Sequence, residues 1–214
     1  MKKVTLKDIL DLRKNSSEEN RLIKEAYKLV VKVHKGQKRA SGAPYIEHLL
    51  EVGYFLAKMK MDYEIIVAGL LHDSIEDADV SLVYVRKYFG KRVAKLVDGM
   101  SWILRRGVKD WPASYKKFSK IAQEDTALVY IKMADFRSNF SEMQVVKHKR
   151  FFEKKAGPRN KTFFIPFFRE VGLTKFAEQL DRKTSKFVKE DVPETLYDYI
   201  NKSELRKIKK ELKV

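Results

Sequence analysis

The sequence predicts an all-α fold with the helices packed into one domain, and three observations carry that expectation. Apolar residues recur at helical spacing nearly throughout, no stretch alternates with period two between hairpin turns, and no internal repeat or low-complexity segment interrupts the pattern. A chain of 214 residues that is 44% hydrophobic, with 12% aromatic residues, can bury a sizeable core.

Ser16 and Glu19 read as a capping box, and Leu22, Ile23, Ala26, Leu29, Val30 and Val33 follow at helical spacing until Gly36 stops the helix. A loop with Gly42 and Pro44 leads into a helix over 46–60 with Leu49, Leu50, Val52 and Leu56 inward. The next helix begins near Asp62, and its run Ile65 to Leu71 is apolar almost all round. That marks a helix buried on several sides, with a buried strand as the alternative for so short a run. Further helices are expected at 82–89 (closed by Gly90), 91–104, 114–123, 125–140 and 142–155, with Gly157-Pro158 breaking the chain and three or four more helices after it. Residues 105–113 are the least regular, either a mobile loop or an ordinary surface connection. The expected organisation is a main domain over 1–182 and a basic helical C-terminal extension over 183–214.

Composition excludes several classes of function. The chain has no cysteine, so disulfides, thiolate metal sites and cysteine nucleophiles are ruled out, and any metal must be held by His, Asp or Glu. Apolar runs fall far short of the roughly 20 residues needed to span a bilayer. Charged residues from Lys7 to Arg13 interrupt any signal-like start, so the expected location is the cytoplasm. The net charge of +17 suits a polyanionic partner, a phosphorylated small molecule or nucleic acid, or else marks only a lysine-rich surface.

The chemistry is concentrated in AGLLHDSIEDAD at 68–79. A charged Asp73 beside His72, at the end of the most apolar helix, is costly unless paired or bound to a cation. Glu76 and Asp77 follow each of them by four residues, on shared faces if the helix continues. A divalent cation relieves the crowding; a capping cluster or solvated acidic turn would explain Glu76, Asp77 and Asp79 but not the buried pair. Asp135, after Val129, Ile131 and Met133, is a second buried acid, with Asn139 one turn on.

Together, VHKGQKRASGAPYIEH at 33–48, the HD and ED pairs at 72–77, YFGKRVAKLVDGM at 88–100, IKMAD with Asn139, and NKTFFIPFFREVGL at 160–173 resemble the hydrolase domain of the RelA/SpoT-type alarmone enzymes. The resemblance covers about residues 20–180 and implies an all-α HD-type phosphohydrolase fold. It implies a manganese-dependent 3′-pyrophosphohydrolase acting on ppGpp and pppGpp. By position, His48, His72, Asp73 and Asp135 match the metal ligands, and Glu76 and Asp77 the acidic pair that handles the attacking water. Arg39 matches the arginine against the guanine base and Asn139 the asparagine near the ribose; His34 falls on the family's other common histidine and reads as structural, being set apart from the ligand set. Lys147, Arg150, Arg105 and Arg106 are candidates for gathering diphosphates, or else solvated surface residues. The chain departs from the common ADRLHN at Phe136-Arg137-Ser138, from proline at Leu49, and from Val-Thr-Lys at Met100-Ser101-Trp102.

Two other functions stay open at this level. One is an HD-type hydrolase of another nucleotide, such as NADPH or a dNTP. The other is a non-catalytic helical module binding RNA through its positive field, which the buried His72, Asp73 and Asp135 disfavour. The sequence leaves the oligomeric state open.

Overall fold

The structure, a computed structural model, describes residues 3–14, 16–78, 80–140, 142–144, 152–188 and 195–212. Its first helix, α1 (Leu6–Asp11), is one the hydrophobic periodicity passes over: only Ile9 is buried, but Thr5 and Asp8 form a reciprocal capping box. Arg13 ties its end to the carbonyls of Lys60 and Met61. The expected box at Ser16 and Glu19 opens α2 (Ser17–Val33), and Gly36, at φ 81°, ends the turn that follows.

At the centre stand α3 (Ile46–Lys58) and α4 (Tyr63–Leu71). Asp62 caps α4 by accepting from the Ile65 amide at 3.0 Å, and every residue from Ile65 to Leu71 is buried. The ambiguous apolar run is therefore a helix, enclosed by α2, α3, α7 (Lys91–Met100) and α9 (Ala127–Asn139). Arg92 of α7 bonds Asp62, Glu64 and Asp125, tying the start of α4 to the turn before α9.

Between these, α5 (Ser74–Asp77) and α6 (Leu82–Phe89) lead to Gly90 as expected. The helix expected to reach residue 104 ends at Met100. Ser101 turns extended, and a small antiparallel ribbon follows, β1 (Leu104–Arg105) with β2 (Val108–Lys109), Leu104 opposite Lys109. Arg106 and Gly107, at φ 52° and 77°, supply the two left-handed positions that a tight hairpin turn requires. The helix expected at 114–123 starts earlier, as α8 (Trp111–Glu124), because Asp110 accepts from the Ala113 amide and Pro112 fits a first turn.

The middle of the helix expected over 142–155 falls outside the described residues, which show a 3₁₀ turn at Glu142–Gln144 and helical chain from Phe152. Gly157-Pro158 does not break this chain. The helix runs on through α10 (Gly157–Arg159) to α11 (Ile165–Glu170), with π turns at Phe152–Ala156 and Asn160–Phe164. A proline ring clashes with the carbonyl four residues back, here Lys154 for Pro158 and Thr162 for Pro166. Both carbonyls lie in π turns, whose wider winding shifts them aside, and the Thr162 oxygen accepts instead from the Thr195 amide at 2.9 Å.

Two more helices, α12 (Thr174–Thr184) and α13 (Lys202–Leu212), complete the fold. Phe163, Phe164, Phe167 and Phe168 form an aromatic layer with Tyr115, Phe118 and Phe136, Tyr115 stacking on Phe163 at 4.2 Å. Leu205, Ile208 and Leu212 of α13 join the same hydrophobic core, so residues 202–212 pack on the main body. No helix among the described residues is long and apolar enough to cross a membrane.

Candidate active site and metal centre

Three helices deliver four side chains to one point. His48 comes from the first turn of α3, His72 and Asp73 from the end of α4, and Asp135 from α9. The Nε2 atoms of His48 and His72 lie 3.3 Å apart. Asp73 Oδ2 is 3.4 and 3.1 Å from them, and Asp135 Oδ1 is 3.6 and 3.8 Å. For metal–ligand bonds of about 2.1 Å, donor atoms sit about 3.0 Å apart along an octahedral edge and about 3.4 Å along a tetrahedral one. His48, His72 and Asp73 lie at spacings that could hold one divalent cation, and Asp135 faces both imidazoles from slightly farther away.

The surroundings turn the right atoms inward. His72 Nδ1 is 2.7 Å from the Gly69 carbonyl oxygen, which only accepts, so Nδ1 carries a proton. His48 Nδ1 is 2.9 Å from Ser138 Oγ, and Ser138 donates to Glu51. Histidines that ligate metals are commonly oriented by partners of this kind at the other ring nitrogen. The Tyr45 hydroxyl donates to Asp73 Oδ2 at 2.6 Å. Lys132 donates to Asp135 Oδ2 at 2.9 Å and Asn139 Nδ2 to Oδ1 at 2.6 Å. The imidazole and carboxylate donors are those of a zinc-, manganese- or iron-type centre.

Electrostatics agree with the geometry. Burial opposes charge on His72, but Asp73 and Asp135 outweigh it and raise its pKa from 6.5 to about 9. Burial likewise opposes charge on Asp73, and the two imidazoles hold it well below the usual carboxylate range. Asp135 is lowered against burial by Lys132 and the same imidazoles. Glu76 goes the other way: burial raises it more than Lys109 and the Trp102 amide lower it.

The cluster opens into a cavity of about 530 Å³, large enough for a nucleotide. Arg39 lines it with its edges engaged: Nη2 donates to Asn139 Oδ1 at 2.7 Å, Nη1 to Ser138 Oγ at 3.4 Å, and Nε lies 3.5 Å from Glu142. Asn139 thus links Arg39 to Asp135. Trp102, Lys132, Arg159 and Phe164 form another part of the wall, where the Arg159 guanidinium stacks 3.9 Å from the Trp111 ring centre.

Not every expectation survives in detail. The helix does not run on from His72 to Asp77: α4 ends at Leu71, Asp73 turns to φ −98° and ψ −3°, and α5 is a separate short helix. Glu76 still lines the cavity, with its carboxylate accepting from the Trp102 amide at 2.7 Å and Lys109 at 3.1 Å. The side chains of Asp77 and Asp79 lie outside the described residues, as do Lys147 and Arg150. Arg105 and Arg106 are exposed and absent from the cavity lining, with Arg105 paired to Asp110 at 2.6 Å. His34 is buried behind Tyr45, stacked on it at 5.1 Å.

Sequence reasoning missed Tyr45, Glu51, Lys132, Ser138, Glu142 and Arg159. Helical spacing marks three of them, because Glu51 lies three residues after His48, while Lys132 and Ser138 lie three either side of Asp135.

A family model described as HD domain matches residues 26–152. The guanosine-3′,5′-bis(diphosphate) 3′-pyrophosphohydrolase of Aquifex aeolicus is 32% identical over 203 residues, 89% of this chain and 29% of that protein. The bifunctional (p)ppGpp synthase/hydrolase SpoT of Escherichia coli is 29% identical over 163 residues, 74% of this chain and 23% of that protein. The chain therefore spans less than a third of the length of these curated relatives. A solved structure described as "A metazoan ortholog of SpoT hydrolyzes ppGpp and plays a role in starvation responses" shares the fold, with a TM-score of 0.53 at 18% identity over 94% of this chain and 98% of that one. Converging from α3, α4 and α9, His48, His72, Asp73 and Asp135 all lie within the matched span, and the chain belongs to the HD domain family.

Proposed function

We propose that this chain is a metal-dependent phosphohydrolase that removes the 3′-diphosphate of ppGpp and pppGpp as pyrophosphate, with manganese at the centre. The observation that carries the reading is the grouping of His48, His72 and Asp73, with Asp135 facing both imidazoles, at the edge of a nucleotide-sized cavity that His48, Asp73 and Asp135 line. The relatives' names supply the substrate class.

A divalent cation held by these four groups supplies Lewis acidity, acidifying water and offsetting phosphoryl charge. Glu76, partly buried and raised in pKa, accepts the proton of the attacking water, with Asp77 assisting. Lys132 and Asn139 hold the Asp135 carboxylate in place. With the edges of Arg39 bonded, its planar face is the part left to stack on a purine, and Asn139 stands beside it for the ribose. Arg159 adds positive charge for the diphosphates, joined by Lys147. A purified-protein assay with ppGpp and Mn²⁺ tests the proposal: pyrophosphate and GDP are expected. Release of monophosphate, or turnover of other nucleotides with none of ppGpp, would contradict it.

A further inference from the structure

The proposed metal-facing atom of His48 depends on a hydroxyl that could point either way. Ser138 Oγ lies 2.9 Å from His48 Nδ1, deep in the core. A serine hydroxyl has one proton and two lone pairs. If it donated to Nδ1, the imidazole proton would move to Nε2, the atom facing His72, Asp73 and Asp135, and block a cation there. Glu51 removes that choice. Its carboxylate accepts the Ser138 proton, and the Ser138 oxygen is left to accept from His48 Nδ1–H. Arg39 Nη1, which can only donate, approaches the same oxygen at 3.4 Å. Glu51 takes the hydroxyl proton, while His48 and Arg39 approach the oxygen as donors.

We infer that Ser138 and Glu51 are positioning residues that fix the tautomer of His48, so that its Nε2 lone pair faces the cation. The inference rests on the metal centre proposed above. It gives a role to the position where this chain carries serine in Phe136-Arg137-Ser138. It also explains why the proposed ligand and its remote carboxylate share a face of α3, three residues apart.

Four proteins test it: wild type, Ser138→Ala, Glu51→Ala and Glu51→Gln. Mn²⁺ affinity is measured by calorimetry, and melting in EDTA reports folding. The expected result is a loss of about 10- to 100-fold in Mn²⁺ affinity for both alanine variants, while Glu51→Gln, which keeps an acceptor oxygen, stays within a few-fold of wild type. In the Zn²⁺-loaded protein, a slowly exchanging His48 Nδ1–H resonance is expected for wild type and Glu51→Gln, and its loss in Ser138→Ala. If Ser138→Ala does not fold, Ser138→Cys replaces it, with a poor acceptor in the same space and the same loss expected. Unchanged affinity in the alanine variants beside a metal-binding wild type would overturn the inference alone. So would a Glu51→Gln protein as weak as Glu51→Ala, because charge and not orientation would then matter. A wild type that binds no metal would overturn the inference and the metal reading together.

Discussion

His48 and His72 face each other through their Nε2 atoms at 3.3 Å, while their Nδ1 atoms are engaged by Ser138 and the Gly69 carbonyl. Two neutral imidazoles held this way present lone pair to lone pair, so a positive charge must lie between them. A proton on His72 serves, shared with Asp73 at 3.1 Å. A divalent cation serves the same donors and competes with that proton.

This competition predicts the pH dependence of metal binding. With His72 raised to about 9, Mn²⁺ must displace its proton at neutral pH, so affinity should climb by about tenfold per pH unit and level off near pH 9. For the metal-free protein, the stability contributed by charged His72 is fully present below pH 6.5 and is lost as pH rises through about 9. Calorimetric titrations and melts in EDTA across pH 6–10 check both; a flat affinity would place the proton elsewhere.

Glu76→Gln separates chemistry from binding. Glutamine still accepts from the Trp102 amide, so the start of the ribbon keeps its anchor. The proton acceptor is lost, and kcat should fall by about 10² to 10⁴ with Mn²⁺ content unchanged. At saturating Mn²⁺, where competition with the His72 proton no longer shapes the rate, the acid limb of the wild-type profile should lie above that of a free glutamate, because burial raises Glu76, and should disappear in the variant. Wild-type turnover by Glu76→Gln would remove this residue from the mechanism.

Arg39→Ala should raise KM several-fold or more with metal content intact, because its face is remote from the reacting atoms. It also strips partners from Asn139, Ser138 and Glu142. Arg39→Lys, which lacks the planar face, should not restore KM. An unchanged KM in either would place the base elsewhere.

Gly99→Ala tests the packing that sets α7 against α9. A Cβ at Gly99 would lie 2.8 and 2.9 Å from the two methyls of Leu128, which is fully buried. Alanine favours a helix by about 1 kcal/mol over glycine, but overpacking typically costs about 1–3 kcal/mol. The net expectation is a lower Tm, and a higher one would mean that Leu128 moves aside freely.

How legible was this in the sequence? The buried run Ile65–Leu71 and the box at Ser16 and Glu19 follow from spacing, His72 and Asp73 stand out by charge burial, and His48 joins them through the family resemblance. Local rules fail where tertiary contacts decide. Asp73 leaves the helix where the Tyr45 hydroxyl meets it from a distant loop, and Pro158 is tolerated because a π turn moves the opposing carbonyl. Glu142 meets Arg39 across more than a hundred residues, and bonds Ser41 as well, which no helical spacing encodes.

The most direct measurement is release of pyrophosphate from ppGpp by the purified chain, with Mn²⁺ and with EDTA, beside His72→Ala and Asp73→Ala. Release of pyrophosphate and GDP is expected to require Mn²⁺ and to be abolished by EDTA and in both variants, which should also have lost the metal. Equal release in EDTA, or variants that keep both metal and turnover, would contradict it.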